Sequence, residues 1–176
     1  MWICRQRRWR GDGPPAPQTV DRLLELLLQS GVSTDHWIPL LMPARILIIE
    51  DEVLVAMELR FVLEDLGHEV VGVAATAKAA RDLVRETEVD LALVDIHLSD
   101  GATGIDLGRE LGQEQGVTVL FMTANPGMVR NGVAGTIGVL SKPTDEQAVQ
   151  TAVDYALRRR GGQSSVATPV GLQLFG

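Results

Sequence analysis

Four apolar runs in this sequence stop at residues able to do chemistry. Ile48-Ile49 leads into Glu50-Asp51, Leu93-Val94 into Asp95, Val119-Leu120-Phe121-Met122 into Thr123, and Val139-Leu140 into Ser141-Lys142-Pro143. Apolar runs ending in polar residues are the pattern of buried parallel strands at one rim of a sheet, where open α/β folds bind their ligands. Three carboxylates, one hydroxyl and one ammonium gathered there suit a divalent cation and a phosphoryl group. Close carboxylates repel by about 4 kcal/mol per pair at 4 Å and an effective dielectric near 20. A retained proton or a bound divalent cation relieves that repulsion. A hard-oxygen site with few protein ligands suits Mg²⁺, which keeps several of its waters. Asp95 is the candidate nucleophile, since a carboxylate can accept a phosphoryl group as an aspartyl phosphate. Lys142 and the cation would offset charge on the phosphoryl oxygens, and Thr123 could donate a hydrogen bond to the product.

These residues need a scaffold, and the sequence from Arg45 onward supplies an alternation of strand and helix patterns. Strands are expected at Arg45–Glu50, Glu69–Ala74, Leu91–Asp95, Val117–Thr123 and Ile137–Ser141. Helices are expected at Val53–Leu66, Ala77–Glu86 with Thr76 as cap, Gly104–Gln115 and Asp145–Arg160. Gly108 and Gly112 weaken the third of these. Thr144-Asp145-Glu146-Gln147 has the form of a capping box that places Thr144 at the N-cap. Pro126 to Gly135 holds three glycines besides its proline and allows at most one or two helical turns. The pattern predicts an α/β fold, a flavodoxin-like (βα)5 doubly wound parallel sheet with strand order 2-1-3-4-5.

Composition is that of a soluble globular protein, and the net charge of −7 argues against nonspecific nucleic-acid binding. The single cysteine, Cys4, excludes an internal disulfide and fits a reducing cytoplasm. No run reaches the roughly 18 apolar residues of a membrane span. Three regions are expected: an N-terminal extension at 1–43, the α/β domain at 44–160, and a loose tail at 161–176 rich in Gly, Ser and Gln. The extension joins a basic start, a Gly/Pro-rich stretch and a short apolar helix pattern from Val20 to Leu28. It reads as a docking or dimerising arm, as a disordered tail, or as upstream sequence preceding a start at Met42.

In order and spacing, Arg45–Arg160 resembles a response-regulator receiver domain of two-component signalling. That family carries an acidic pair after its first strand, a phosphoacceptor aspartate after its third, Thr or Ser after its fourth and Lys-Pro after its fifth. These fall here on Glu50 and Asp51, Asp95, Thr123, and Lys142-Pro143. The resemblance implies that Asp51 and Asp95 ligate Mg²⁺ directly, that the backbone carbonyl of His97 completes the protein ligands, and that Glu50 acts mostly through water. It further implies that His97 and Asn125 flank the phosphoryl group and tune its hydrolysis. His97 reads equally well as an ordinary exposed loop histidine.

Two departures stand out. Receivers usually carry Tyr or Phe three residues before the lysine, and this sequence has Val139 there. The interval from Thr123 to Lys142 is also about three residues short of the usual receiver length. Both changes fall on the face by which many receivers dimerise or dock. Phe121-Met122-Thr123-Ala124-Asn125-Pro126 and Leu98-Ser99-Asp100-Gly101 are similar to stand-alone and stress-response receivers of alphaproteobacteria, whose kinases often belong to the HWE/HisKA2 group.

The expected function is a single-domain response regulator in a phosphorelay. A sensor histidine kinase or phosphotransfer protein phosphorylates Asp95, and output passes to a downstream protein target, because sixteen residues after Arg160 cannot hold a DNA-binding fold. A cytoplasmic monomer or weak homodimer without further enzymatic activity fits this reading. One rival is a pseudo-receiver that binds a partner without phosphorylation; the intact constellation counts against it. The other is an aspartyl-phosphate phosphatase of the haloacid dehalogenase type, which needs a second Asp two residues after the nucleophile, where this sequence has His97.

Overall fold

The chain divides into two units, Met1–Leu41 and Met42–Gly176. The computed structural model describes residues 43–163 and 166–175, all within the second unit. The expectations for the N-terminal extension and for a start at Met42 lie outside these residues.

Strand β1 (Arg45–Ile49) is followed by α1 (Val53–Asp65), β2 (Glu69–Ala74), α2 (Ala77–Glu86), β3 (Leu91–Val94), α3 (Gly104–Glu114) and β4 (Thr118–Thr123). A 3₁₀ turn at Pro126–Val129 leads to β5 (Gly138–Ser141), α4 (Glu146–Arg160) and β6 (Leu172–Leu174). The sheet order is β2-β1-β3-β4-β5-β6, with every pairing parallel except β5 with β6. The predicted doubly wound core is thus present in its predicted order, extended by one antiparallel edge strand. That strand corrects the expectation of a loose tail: two leucines and a neighbouring phenylalanine are enough to anchor a segment whose composition reads as polar.

Alternation along each central strand divides the core into two layers. Ile46, Ile48, Leu120, Met122 and Leu140 face one side, where they meet Leu59 and Leu63 of α1 and Val149, Ala152, Val153 and Tyr155 of α4. Leu47, Ile49, Val119, Phe121 and Val139 face the other, against Ala80 of α2 and Leu107 and Leu111 of α3. The glycines that lower the helix propensity of α3 have a packing use. A Cβ on Gly108 would stand 2.5 Å from the ring of Phe121, and one on Gly112 would overlap the carbonyl of Gly135.

Thr76 caps α2 as expected, its Oγ1 accepting from the Ala79 N–H at 3.1 Å. The cap of α4 differs from expectation. Asp145 takes the N-cap, with extended backbone and a carboxylate that accepts from the Ala148 N–H at 2.7 Å. The helix starts one residue later than predicted, and Asp145 does what was assigned to Thr144, because a carboxylate accepts from an exposed N–H as well as a hydroxyl does.

Candidate functional site

Parallel pairing brings the carboxyl ends of β1, β3, β4 and β5 to one rim. Glu50 and Asp95 each sit one residue beyond their ladders yet stay tied to the sheet. The Glu50 N–H donates to the Ala74 carbonyl and the Asp95 N–H to the Ile49 carbonyl, both at 2.9 Å. Thr123 is the last residue of β4 and pairs with Ser141, and the Lys142 N–H donates to the Thr123 carbonyl at 2.9 Å. Residues separated by up to 92 positions in sequence therefore share one pocket.

Lys142 lies at its centre. Its Nζ donates to Asp95 Oδ2 at 2.7 Å and to Glu50 Oε2 at 2.5 Å. Glu50 is 3% exposed, Asp95 9% and Thr123 0%, so these groups act in a setting where water screens little. Asp95 Oδ1 accepts from the His97 N–H at 3.3 Å, and Thr123 Oγ1 accepts from the Asn125 N–H at 3.2 Å. Burial pushes the Glu50 carboxyl above the usual carboxylate range despite its bond to Lys142. Burial alone would depress the Lys142 ammonium, but its bonds to Asp95 and Glu50 outweigh that and hold it above the ordinary lysine value. The two directions agree physically: one ammonium shared between two acids is fully charged, while the more buried acid is incompletely compensated.

The loop after β3 is pinned to the start of α2. Asp100 Oδ2 accepts from the Ala77 N–H at 3.0 Å, Asp100 Oδ1 accepts from Thr103 Oγ1 at 2.7 Å, and the Ser99 N–H donates to the Ala75 carbonyl at 3.0 Å. This places Ser99 Oγ 3.5 Å from Asp51 Oδ2, a contact at the outer limit of a hydrogen bond. The capping of α2 by Asp100 and the approach of Ser99 to Asp51 have no signal in the sequence. Those follow from a tertiary contact between two loops. The side chains of His97 and Asn125 are exposed at the rim, as their positions two residues past Asp95 and Thr123 imply.

Among the described residues, no three His, Cys, Asp or Glu side chains form a ready-made metal cage. Glu50 is engaged by Lys142 rather than turned toward its acidic neighbours. The side-chain donors that remain are the carboxylate of Asp51 and that of Asp95, whose Oδ2 Lys142 also holds. Their hard-oxygen chemistry and small number fit Mg²⁺, which completes its shell with water.

The profile described as the response regulator receiver domain matches residues 46–154. The Phyllosphere-induced regulator PhyR of Methylorubrum extorquens is 39% identical over 118 residues, covering 66% of this chain and 44% of that protein. The solution structure of the receiver domain of PhyR from Erythrobacter litoralis superposes with a TM-score of 0.60 at 36% identity, covering 72% of this chain and 97% of that one. The crystal structure of a mutant of the anti-anti-sigma factor PhyR from Bartonella quintana gives a TM-score of 0.63 at 29% identity, over 81% of this chain and 58% of that one. The chain thus spans less than half the length of the M. extorquens regulator.

Proposed function

Since the chain belongs to the response regulator receiver domain family, we propose that it is a phosphoacceptor in a phosphorelay, modified on Asp95 and signalling by protein contact. The observation that carries this reading is the buried Asp95 carboxylate held 2.7 Å from the Lys142 ammonium beside the Thr123 hydroxyl. An Asp95 oxygen attacks the phosphorus of a phosphohistidine; the O–P bond forms as the P–N bond breaks, and the electron pair leaves on the imidazole nitrogen. Lys142 holds Asp95 in place before the transfer and neutralises phosphoryl oxygens after it. Thr123 turns its hydroxyl hydrogen toward the new group. Mg²⁺, held by Asp51, Asp95 and the His97 carbonyl, would supply further neutralisation of the phosphoryl oxygens. Chemistry is confined to gain and loss of this one group.

The donor is a histidine kinase, of the HWE/HisKA2 group on the resemblance of residues 121–126 and 98–101 to alphaproteobacterial receivers, or a phosphotransfer protein. Its contact surface is the exposed face of α1, which begins two residues after Asp51 and exposes Val53, Leu54, Met57 and Phe61, each 63–82% accessible. These residues stand at i, i+1, i+4 and i+8, so they form one apolar stripe beside the site. The downstream target is a protein, and the setting is the cytoplasm, which the single cysteine fits.

Incubation with acetyl phosphate and Mg²⁺, followed by intact-mass measurement, tests the reading. One phosphoryl group is gained and slowly lost, and Asp95→Asn, nearly isosteric, gains none while remaining folded. Persistent labelling of that variant would mean another acceptor. No labelling of the wild-type chain would favour a pseudo-receiver, and repeated turnover a phosphatase.

A further inference from the structure

The C-terminal strand occupies a position that the chemistry of the site can reach. Leu174, Gln173 and Leu172 of β6 pair with Gly138, Val139 and Leu140 of β5, and the Phe175 N–H donates to the Ile137 carbonyl at 2.9 Å. Leu172 enters the core layer shared by α1 and α4, and Phe175 enters the opposite layer. There its ring centroid lies 6.3 Å from that of Phe121, tilted by 48°. The segment thus straddles the sheet edge with one anchor in each layer. β5 is shaped for it, since any Cβ on Gly138 would overlap the Gln173 carbonyl.

Both anchoring elements lead directly into the site. Phe121 lies two residues before Thr123 on β4, and Val139 and Leu140 lie three and two residues before Lys142 on β5. Val139 stands where receivers usually carry an aromatic residue, and it belongs to the same core layer as Phe175. The aromatic ring of that layer next to Phe121 therefore comes from the C-terminal segment. Phosphorylation of Asp95 turns its carboxylate into an acyl phosphate, which removes the negative charge that Lys142 now holds, and draws Lys142 and Thr123 toward the phosphoryl oxygens. The strands that carry them move with them. A three-residue strand with two anchors is fitted to one arrangement of β4 and β5, so displacement of either weakens its hold.

We propose that residues 172–175 are a strap whose docking on β5 reports the state of Asp95: seated when Asp95 is free, released when it is phosphorylated, leaving the β5 edge bare. The proposal rests on Asp95 being the phosphoacceptor. Linkage makes the effect reciprocal: a state that releases the strap is favoured when the strap is absent.

The test is hydrogen exchange read by mass spectrometry on the full chain, with and without beryllofluoride and Mg²⁺, alongside acetyl phosphate labelling. Amides of 172–175 are expected to exchange at least tenfold faster in the beryllofluoride form, with β1 and β3 unchanged. Phe175→Ala is expected to speed the same amides without beryllofluoride and to tighten beryllofluoride binding several-fold. Leu172→Ala, which empties the other anchor, is expected to act in the same direction. Labelling of Asp95 with unchanged or slower exchange at 172–175 overturns the strap and leaves the phosphoacceptor reading standing. So does beryllofluoride affinity unaltered in both variants. Absence of labelling and of beryllofluoride binding overturns both.

Discussion

One ammonium serves two carboxylates, with Lys142 Nζ at 2.7 Å from Asp95 Oδ2 and 2.5 Å from Glu50 Oε2. Retained protons and bound cations are the two reliefs that crowded acids suggest from sequence; the fold adds a third, from a lysine on another strand. Removal of that lysine leaves two buried acids without a cation, so Lys142→Ala is expected to lower stability by about 3 kcal/mol at neutral pH, measured by denaturant unfolding. Labelling of Asp95 persists in that variant, while the response of partner binding weakens. The pH dependence has a definite sign. Lys142 is held above its ordinary value, so its contribution is complete below the ordinary lysine pKa of about 10.4 and is lost as pH rises through the folded value. Glu50 is an acid pushed upward, so stability falls as pH climbs from about 4.3, its unfolded value, through its folded one. Glu50→Gln removes that fall, which unfolding midpoints across the acid range will show.

At the scale of elements, α1 has one face in the core and one left apolar to solvent. Leu59 and Leu63 are buried, whereas Phe61 remains 73% exposed. Phe61→Glu is expected to change stability by no more than about 0.5 kcal/mol, to leave labelling by acetyl phosphate unaltered, and to slow transfer from a phosphohistidine protein at least tenfold. Equal transfer rates would remove α1 from the contact surface. The parallel strands were legible because continuous Val, Ile and Leu runs have few other uses in a chain of this size. The site was legible because each chemical residue stands at the end of such a run. What escaped the sequence depends on fit between distant segments. Gly108 and Gly112 read as helix weakness because the ring and carbonyl they admit belong to β4 and the turn before β5. Leu172–Leu174 is too short for a periodicity, and its pairing depends on room made at Gly138. The exchange of Thr144 for Asp145 as cap is a one-residue shift between two competent acceptors.

For the whole molecule, the sheet is secured at the end opposite the site by a separate ion network. Asp90 Oδ2 accepts from the Arg45 N–H at 2.9 Å and from Arg45 Nε at 3.1 Å, and Arg160 Nη2 lies 3.4 Å from Asp90 Oδ1. One carboxylate thereby joins the start of β1, the approach to β3 and the last turn of α4. The Arg45 guanidinium holds Asp90 below the usual aspartate range, so this stabilisation is present above about pH 3.9 and is lost as pH falls through the folded value. Asp90→Asn is expected to lower the unfolding midpoint at pH 7, with the deficit against wild type shrinking toward pH 3. The contact between Phe175 and Phe121 has a practical consequence. All three tryptophans, Trp2, Trp9 and Trp37, precede Met42 in the sequence, so the receiver itself has no indole fluorescence. An indole substituted at 175 in a tryptophan-free background would be the sole long-wavelength emitter, and its colour and intensity would follow departure from the Phe121 ring in real time, turning stopped-flow mixing with acetyl phosphate into a direct clock for the signalling event.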